Sequence, residues 1–387
     1  MVEHSGRGGM YAYADALCGG LSEAGADVTV LTSSAWPDKS RPFKVERRLS
    51  QFTREQVRDS KLHWAADRIC RSSINSIRRN RFAVRGRFDV VHFQGSGMPL
   101  LDQFFLKSLA KKLPVVLTIH DVQSHYERFV SRDSFLRRSL QIPHCLIVHY
   151  EKGKEQLIDH WGVKKDRIAV IDHGIMMPLQ SSSSRLDARQ KLNLPADRRI
   201  LLFFGSIRPN KGLDVLLEAL KDICLRDPKI LLVIAGALPR GMSFKPYAEA
   251  IRRLNISDNV ETFTRFIPDK DVDCFMAASD LVVLPYVNFE AQSGVLLRSY
   301  AHKKPVVVSN VGAMGRLVST DRVGMVVEPG VPKALADAVI NVLDQSDEFQ
   351  SYYTAELENK YSWKRIAEMT MHSYEKAIAI RNQSRNS

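Results

Sequence analysis

The chain has 387 residues, 44% of them hydrophobic, 26% charged and 8% aromatic, with 16 Pro and 21 Gly. That length suits two domains of ordinary size, and near-average Pro and Gly exclude collagen-like, low-complexity or wholly disordered readings. The 56 Lys and Arg outnumber the 43 Asp and Glu by 13, which implies an anionic partner: membrane lipid, nucleic acid or a phosphorylated substrate. Apolar runs such as Ile230 to Ala235 are about a third of a bilayer span. No charged and apolar leader is read at the start. Five scattered cysteines (Cys18, Cys70, Cys145, Cys224, Cys274) without a C-x-x-C spacing argue against a structural zinc site or a disulfide framework. The expected location is the cytoplasm.

In chain order, the first feature is Ser5-Gly-Arg-Gly-Gly-Met10, leading into a helix predicted from Tyr11 to Ala24 and closed by Gly25. Glycines there let a ligand approach the backbone. A doubly wound domain sets its glycine-rich turn after a central first strand, and only five residues precede Gly6. A late start to the chain as given, with an apolar run before Val2, is favoured over a vestigial strand. Strands are predicted at Asp27–Thr32, Asp89–Phe93, Pro114–Ile119, Cys145–Val148 and Ile168–Ile171. Between Arg41 and Val90, 14 Lys and Arg face five acids, so this stretch carries +9 of the +13. A solvated helical face and an anion-binding patch fit it equally.

A polar, serine-rich segment, Pro178 to Ser184, suits a linker. The expected domains are 1–178, a linker with a short helix over 179–198, a second domain over 199–360, and a C-terminal helix and tail over 361–387. Further strands are predicted at Ile200–Phe204, Ile230–Ile234, Val260–Phe263, Leu281–Leu284, Pro305–Val308 and Gly324–Val327. Runs apolar on both faces are what strands buried between helices look like. Leu213, Leu216, Leu217, Leu220 and Ile223 make one helical stripe. Ser362 caps a helix from Trp363 with Ile366, Met369, Tyr374 and Ile378 on its apolar side, fraying after Arg381. The whole reads as a doubly wound α/β pattern occurring twice.

Two segments of the second half carry chemistry. In Phe204-Gly-Ser-Ile-Arg-Pro-Asn-Lys-Gly-Leu-Asp214 a buried strand ends at a glycine, and Arg208 and Lys211 precede a helix. Free N–H groups at a helix start and two cations suit a diphosphate; an ordinary surface turn has the same spacing. In Leu284-Pro-Tyr-Val-Asn-Phe-Glu-Ala-Gln-Ser-Gly-Val-Leu-Leu-Arg298 a strand end is followed by Glu290, Gln292, Ser293 and Gly294. That is where open α/β sheets bind ligands, although Glu290 also fits a structural carboxylate in a first helical turn.

These segments, together with Thr118-Ile-His-Asp121, Ile171-Asp-His-Gly174, Ala278-Ser-Asp280, Lys304-Pro-Val306 and Ser362-Trp363, resemble the retaining nucleotide-sugar glycosyltransferases of family 4 over nearly the whole chain. The resemblance implies the GT-B fold: two Rossmann-like doubly wound domains facing a cleft, with the C-terminal helix returning to the N-terminal domain. It implies sugar transfer with retention from a nucleotide-sugar donor, UDP- or GDP-linked, to a glycan or lipid-linked acceptor in polysaccharide or glycolipid biosynthesis, with no cofactor and no metal. Gly8 and Gly9 would approach the donor diphosphate or the acceptor, and His120 would hydrogen-bond the transferred sugar. Arg208 and Lys211 would hold the diphosphate, Glu290 the sugar, and the Ser293-Gly294-Val295 backbone the phosphates. The family's Glu-x7-Glu motif ends here at Arg298, where the second acid binds ribose. Arg298 therefore joins the donor-binding set as its point of departure, and an impaired transferase is one alternative.

The basic stretch 41–90 would face an anionic membrane surface, placing the protein peripherally on its inner face. A nucleic-acid reading is poor, because aromatics are sparse there and no recognition motif appears. An NAD reading is poor as well, because Thr32-Ser-Ser34 follows the strand where an acid is needed. An epimerase-like enzyme of nucleotide sugars on a similar fold is the remaining alternative.

Overall fold

The computed structural model describes residues 1–6, 8–50, 61–95, 99–122, 133–175, 184–290 and 292–386. The chain divides into two compact units, Met1–Gly174 with Tyr361–Ser387, and Ile175–Lys360. Residues 178–183 of the expected linker lie outside the described residues.

The first unit runs α1 (Gly8–Glu23), β1 (Thr29–Ser33), β2 (Lys44–Leu49), α2 (Lys61–Arg85), β3 (Val91–Gln94), α3 (Pro99–Ala110), β4 (Val115–Ile119), α4 (Asp133–Leu140), β5 (Cys145–Val148), α5 (Glu151–Asp159) and β6 (Ile168–Val170). All its strand pairs are parallel: β1 with β2, and β3-β4-β5-β6 in that order. Val2 joins the two groups through isolated parallel bridges to Leu31 and Phe93. Its N–H donates to the His92 carbonyl at 2.7 Å, and the Leu31 N–H donates to the Met1 carbonyl at 2.9 Å. A stub around Val2 thus holds the central position, and the glycine-rich turn follows it as a doubly wound sheet requires. A cavity of about 470 Å³ beside the stub is lined by Met1, Val28, Val90, Tyr374 and Ile378 among others.

Two differences from the predicted elements stand out here. Helix α1 starts at Gly8 rather than Tyr11, so both glycines sit in its first turn. Strand β2 was hidden inside the basic stretch, because it is a charged edge strand with only Leu49 fully buried.

The second unit runs α6 (Arg185–Lys191), β7 (Arg199–Phe204), α7 (Leu213–Arg226), β8 (Ile230–Ala235), α8 (Lys245–Arg253), β9 (Val260–Phe263), α9 (Asp269–Ala278), β10 (Leu281–Leu284), α10 (Gly294–Ala301), β11 (Val306–Ser309), α11 (Met314–Asp321), β12 (Gly324–Val327), α12 (Pro332–Asp344), α13 (Ser346–Ser351) and α14 (Ala355–Lys360). Its six strands are parallel in the order β12-β11-β10-β7-β8-β9. That is the doubly wound order, and its switch point lies between β7 and β10. The α7 stripe Leu213, Leu216, Leu217, Leu220 and Ile223 is fully buried, each side chain contributing about 1.5–3 kcal/mol of burial. Asp280, just before β10, is structural. Its carboxylate accepts from Arg189 at 2.6 Å, Arg185 at 2.9 Å and the Ile200 amide at 2.7 Å, which anchors α6 to the sheet.

Helix α15 (Trp363–Asn386) belongs to the first unit and packs on α1. It continues past Arg381 instead of fraying there, and Met369 is exposed rather than apolar-side. The buried face uses smaller residues: Ala367, Thr370, Ser373 and Ala377 beside Ile366. The Thr370 hydroxyl donates to the Ile366 carbonyl at 2.7 Å, so the helix satisfies its own buried hydroxyl.

Candidate functional site

In the second unit, the ends of β7 and β10 flank the switch point and carry most of the predicted residues. The turn after β7 is a short 3-10 segment, Pro209–Lys211, that ends at Gly212 with φ of 66°. A Cβ on Gly212 would strike the Pro285 carbonyl oxygen. Only glycine lets this turn lie against the β10 end in a left-handed conformation. The Val287 N–H then donates to the Asn210 carbonyl at 3.1 Å, and the Asn210 amide donates to the Asn288 carbonyl at 3.3 Å.

This stitching sets Lys211 against two rings. Its Nζ lies 3.5 Å from the Tyr286 ring centroid and 4.0 Å from that of Phe289, while the rings pack edge-to-face at 5.0 Å. Burial, and next the Arg208 charge, lower the Lys211 pKa to about 7. Arg208 is exposed, and its Nε donates to the Ser206 hydroxyl at 3.2 Å. Among the described residues, neither cation forms an ion pair.

The second arm of this site is the loop into α10. The buried Ser293 caps that helix, its hydroxyl accepting from the Leu296 N–H at 3.4 Å and lying 3.4 Å from the Tyr286 hydroxyl. A Cβ on Gly294 would meet nothing within 4 Å, so the helix start opens on free space. Val295 lies next to Gly205 at the end of β7, 3.5 Å from where a Cβ would stand. Glu290 is partly buried in the same loop. Arg298, by contrast, turns towards α9: it donates to Asp269 at 3.1 Å and lies 4.0 Å from Asp273, which in turn is 3.0 Å from His302. Its charge is answered inside the unit.

The first unit carries the predicted His120 in a group of histidines. His120 Nε2 meets the Gln94 side-chain amide oxygen at 2.9 Å, and its Nδ1 meets His149 Nε2 at 3.1 Å. His149 Nδ1 faces the Ile171 carbonyl at 2.8 Å. A carbonyl only accepts, so His149 carries its hydrogen on Nδ1 and, with its pKa lowered by burial, turns a bare Nε2 to His120; the Gln94 oxygen is an acceptor too, so His120 faces acceptors at both ring nitrogens. The Tyr13 ring packs on His120 at 4.7 Å, on His173 at 4.8 Å and on Trp363 at 5.3 Å. Burial also holds the pKa values of His173 and His92 at about 3. A Cβ on Gly174 would come within 2.7 Å of the Trp363 ring, so the Gly174 and Trp363 motifs are one packing unit. Before α1, buried Glu3 accepts from the Ser5 and Gly6 amides at 2.8 and 2.7 Å. Gly8 and Gly9 are exposed, with nothing within 4 Å of an added Cβ.

Two family models match in succession: "Glycosyltransferase Family 4" over residues 7–176 and "Glycosyl transferases group 1" over residues 184–359. The chain belongs to glycosyltransferase family 4. It is 26% identical to the D-inositol 3-phosphate glycosyltransferase of Paenarthrobacter aurescens, across 96% of this chain and 94% of that protein. Among solved structures it is similar to HepE from Anabaena in complex with UDP (TM-score 0.72, 17% identity, covering 97% of this chain and 98% of that one). It is similar also to sucrose-phosphate synthase from Thermosynechococcus elongatus (TM-score 0.71, 20% identity, covering 98% and 96%). The fold of this family 4 glycosyltransferase is GT-B.

In this glycosyltransferase, Arg208, Lys211, Ser293, Gly294 and Val295 sit on the loops at the switch point of the second unit, and Glu290 lies in the loop after β10. Gly8, Gly9 and His120 belong to the first unit. Sequence reasoning missed Tyr286 and Phe289, whose signal was an aromatic pair directly after a predicted strand. It also passed over His149 and His173, since a lone histidine at a strand end carries no signal of its neighbours.

Proposed function

We propose that the enzyme transfers a sugar, with retention, from a UDP- or GDP-linked donor to a glycan or lipid-linked acceptor. The observation that supports the donor most is the Lys211 ammonium at the switch point, with Arg208 on the same turn and no ion pair to a carboxylate among the described residues, together with the open start of α10 after the neighbouring strand. Cations and helix N–H groups aimed at a leaving diphosphate act where charge develops. HepE, similar in fold, binds UDP. The acceptor hydroxyl attacks the anomeric carbon from the leaving-group side. The bond from that carbon to the phosphate oxygen breaks, and the hydroxyl proton passes to the departing diphosphate. Arg208 and Lys211 take up the growing negative charge without a metal, Glu290 orients the sugar, and His120, set between Gln94 and His149, is assigned to a sugar hydroxyl as the family resemblance implies.

The acceptor reading draws on α2. Its exposed side presents Arg68, Arg78, Arg81 and Arg85 among Ile69, Ile74, Ile77 and Val84, and Arg48, Arg78, Arg81 and Arg85 line a surface pocket of about 550 Å³ around Phe82. Basic and apolar side chains on one helix face suit an anionic membrane bearing a lipid-linked acceptor. Not all of the basic stretch serves it. Arg79 is buried over the Phe93 ring at 4.9 Å, and Arg41 is paired with Asp15. Among the described residues no helix is long and apolar enough to cross a membrane.

The test is a ligand panel read by thermal unfolding. A nucleoside diphosphate at 100 times its Kd adds about 2.7 kcal/mol to the stability of the folded state. UDP or GDP is expected to raise the Tm while NAD and an oligonucleotide leave it unchanged. A flat response to every nucleoside diphosphate would sink the donor assignment.

A further inference from the structure

We propose that Tyr286 and Phe289 are positioning residues: their ring faces hold the Lys211 ammonium in a water-poor box, so that the arriving diphosphate is the first counter-charge this lysine meets. The inference rests on the diphosphate reading above and deepens it, assigning a role to two aromatic residues and a proton-coupled step to binding.

The geometry carries it. Nζ at 3.5 and 4.0 Å from two ring centroids is well inside cation–π range, and among the described residues no hydrogen-bond acceptor reaches that nitrogen. The box is built, not incidental. Gly212 against Pro285 fixes the turn to the strand end, and Tyr286 is fully buried, with its hydroxyl beside Ser293. The titratable or charged groups on the segments that carry the box are Arg208 on the lysine's own turn, Asp214 in the first turn of α7, Tyr286 just after β10, and Glu290 in the loop beyond Phe289. Of these, Arg208 acts on Lys211 and pushes its pKa down further, in the same direction as burial. Burial pushes the Tyr286 phenol up to about 12, so it stays neutral and supplies only its ring. The rings attract the charged form yet exclude the water that would stabilise it more, and exclusion wins.

The consequence has a definite sign. With a pKa near 7 in the free enzyme, Lys211 is mostly neutral at pH 8, and a bound diphosphate favours its charged form. Binding therefore takes up a proton, and above pH 7 the affinity falls about tenfold per pH unit until the pKa of the complex is reached.

The experiment titrates the lysine in the full chain by NMR of lysine labelled at Cε, assigned with Lys211→Arg. Proton uptake on UDP and GDP binding is then measured by calorimetry at pH 8 in buffers of different ionisation enthalpy. The wild type is expected to show a Lys211 midpoint near 7 and uptake of roughly 0.9 proton per nucleotide. Phe289→Ala, which admits water, is expected to raise the midpoint and abolish the uptake. Phe289→Leu keeps the cover without the ring, so it is expected to keep the uptake and bind more weakly. Tyr286→Phe restores wild-type behaviour. An ordinary lysine midpoint in the free wild type overturns the box even if nucleotide binds, as do variants that lower the Tm with the titration unmoved. A depressed midpoint with no binding of UDP or GDP overturns the diphosphate reading, and the counter-charge role with it.

Discussion

The two units handle charge in opposite ways. The first is strongly basic, yet burial lowers the pKa values of His92, His149 and His173, while Arg68, Arg78, Arg81 and Arg85 stand exposed on α2. The C-terminal half is nearly neutral overall, but it holds the Lys211 ammonium between two aromatic rings, with no ion pair to a carboxylate among the described residues. A buried neutral network is complete as it stands, whereas a half-buried cation with no counter-charge among the described residues is completed by an anion. Under the proposed function, net charge along the chain marks the surface offered to an anionic partner, and local imbalance marks the donor site.

The sharpest way to break the comparison is Lys211→Ala. Loss of a preorganised charge at the leaving group is expected to lower kcat/KM by about 10²–10³, with the fold intact by circular dichroism. Near-normal turnover would remove the lysine from the mechanism.

Acid stability addresses the first unit. Histidines whose folded pKa lies below the unfolded value of 6.5 bind protons mainly when unfolded, so their contribution is full above pH 6.5 and is lost as pH falls towards about 3. Chemical denaturation between pH 7 and 4 is expected to show stability falling with a slope of roughly two protons, and His173→Phe is expected to make that slope shallower. A pH-independent midpoint would mean that the cluster is already charged or solvated in the folded state.

The smallest effect concerns the outer face. Replacing Arg78, Arg81 and Arg85 by serine is expected to weaken binding to phosphatidylserine vesicles by a few kcal/mol, at about 1 kcal/mol per basic residue, and to leave the Tm within a degree or two. Binding that is indifferent to lipid charge and salt would return α2 to the status of a solvated helix.

Much of the fold was legible in the residues. Strands apolar on both faces, such as Ile230 to Ala235 and Leu281 to Leu284, are buried without exception in the parallel sheet, because a strand covered on both sides by helices needs no polar alternation. The α7 stripe was equally plain, since its period of 3.6 is written directly in the sequence. What was hidden depends on partners distant in the chain. Strand β2 is an edge whose register comes from β1, and the Val2 stub counts as sheet only because Leu31 and Phe93 flank it. The same division holds at the site: Arg208 and Lys211 could be named from strand, turn and helix order, and Glu290 from its family motif. That Tyr286 and Phe289 close over Lys211, that His120 lies between Gln94 and His149, and that Arg298 is held by Asp269 are facts of the tertiary structure alone. Local sequence sets backbone period and residue chemistry. Desolvation, ring contacts and ion pairs arise only when folding brings separate loops together, and these determine which charge is left for a ligand to answer.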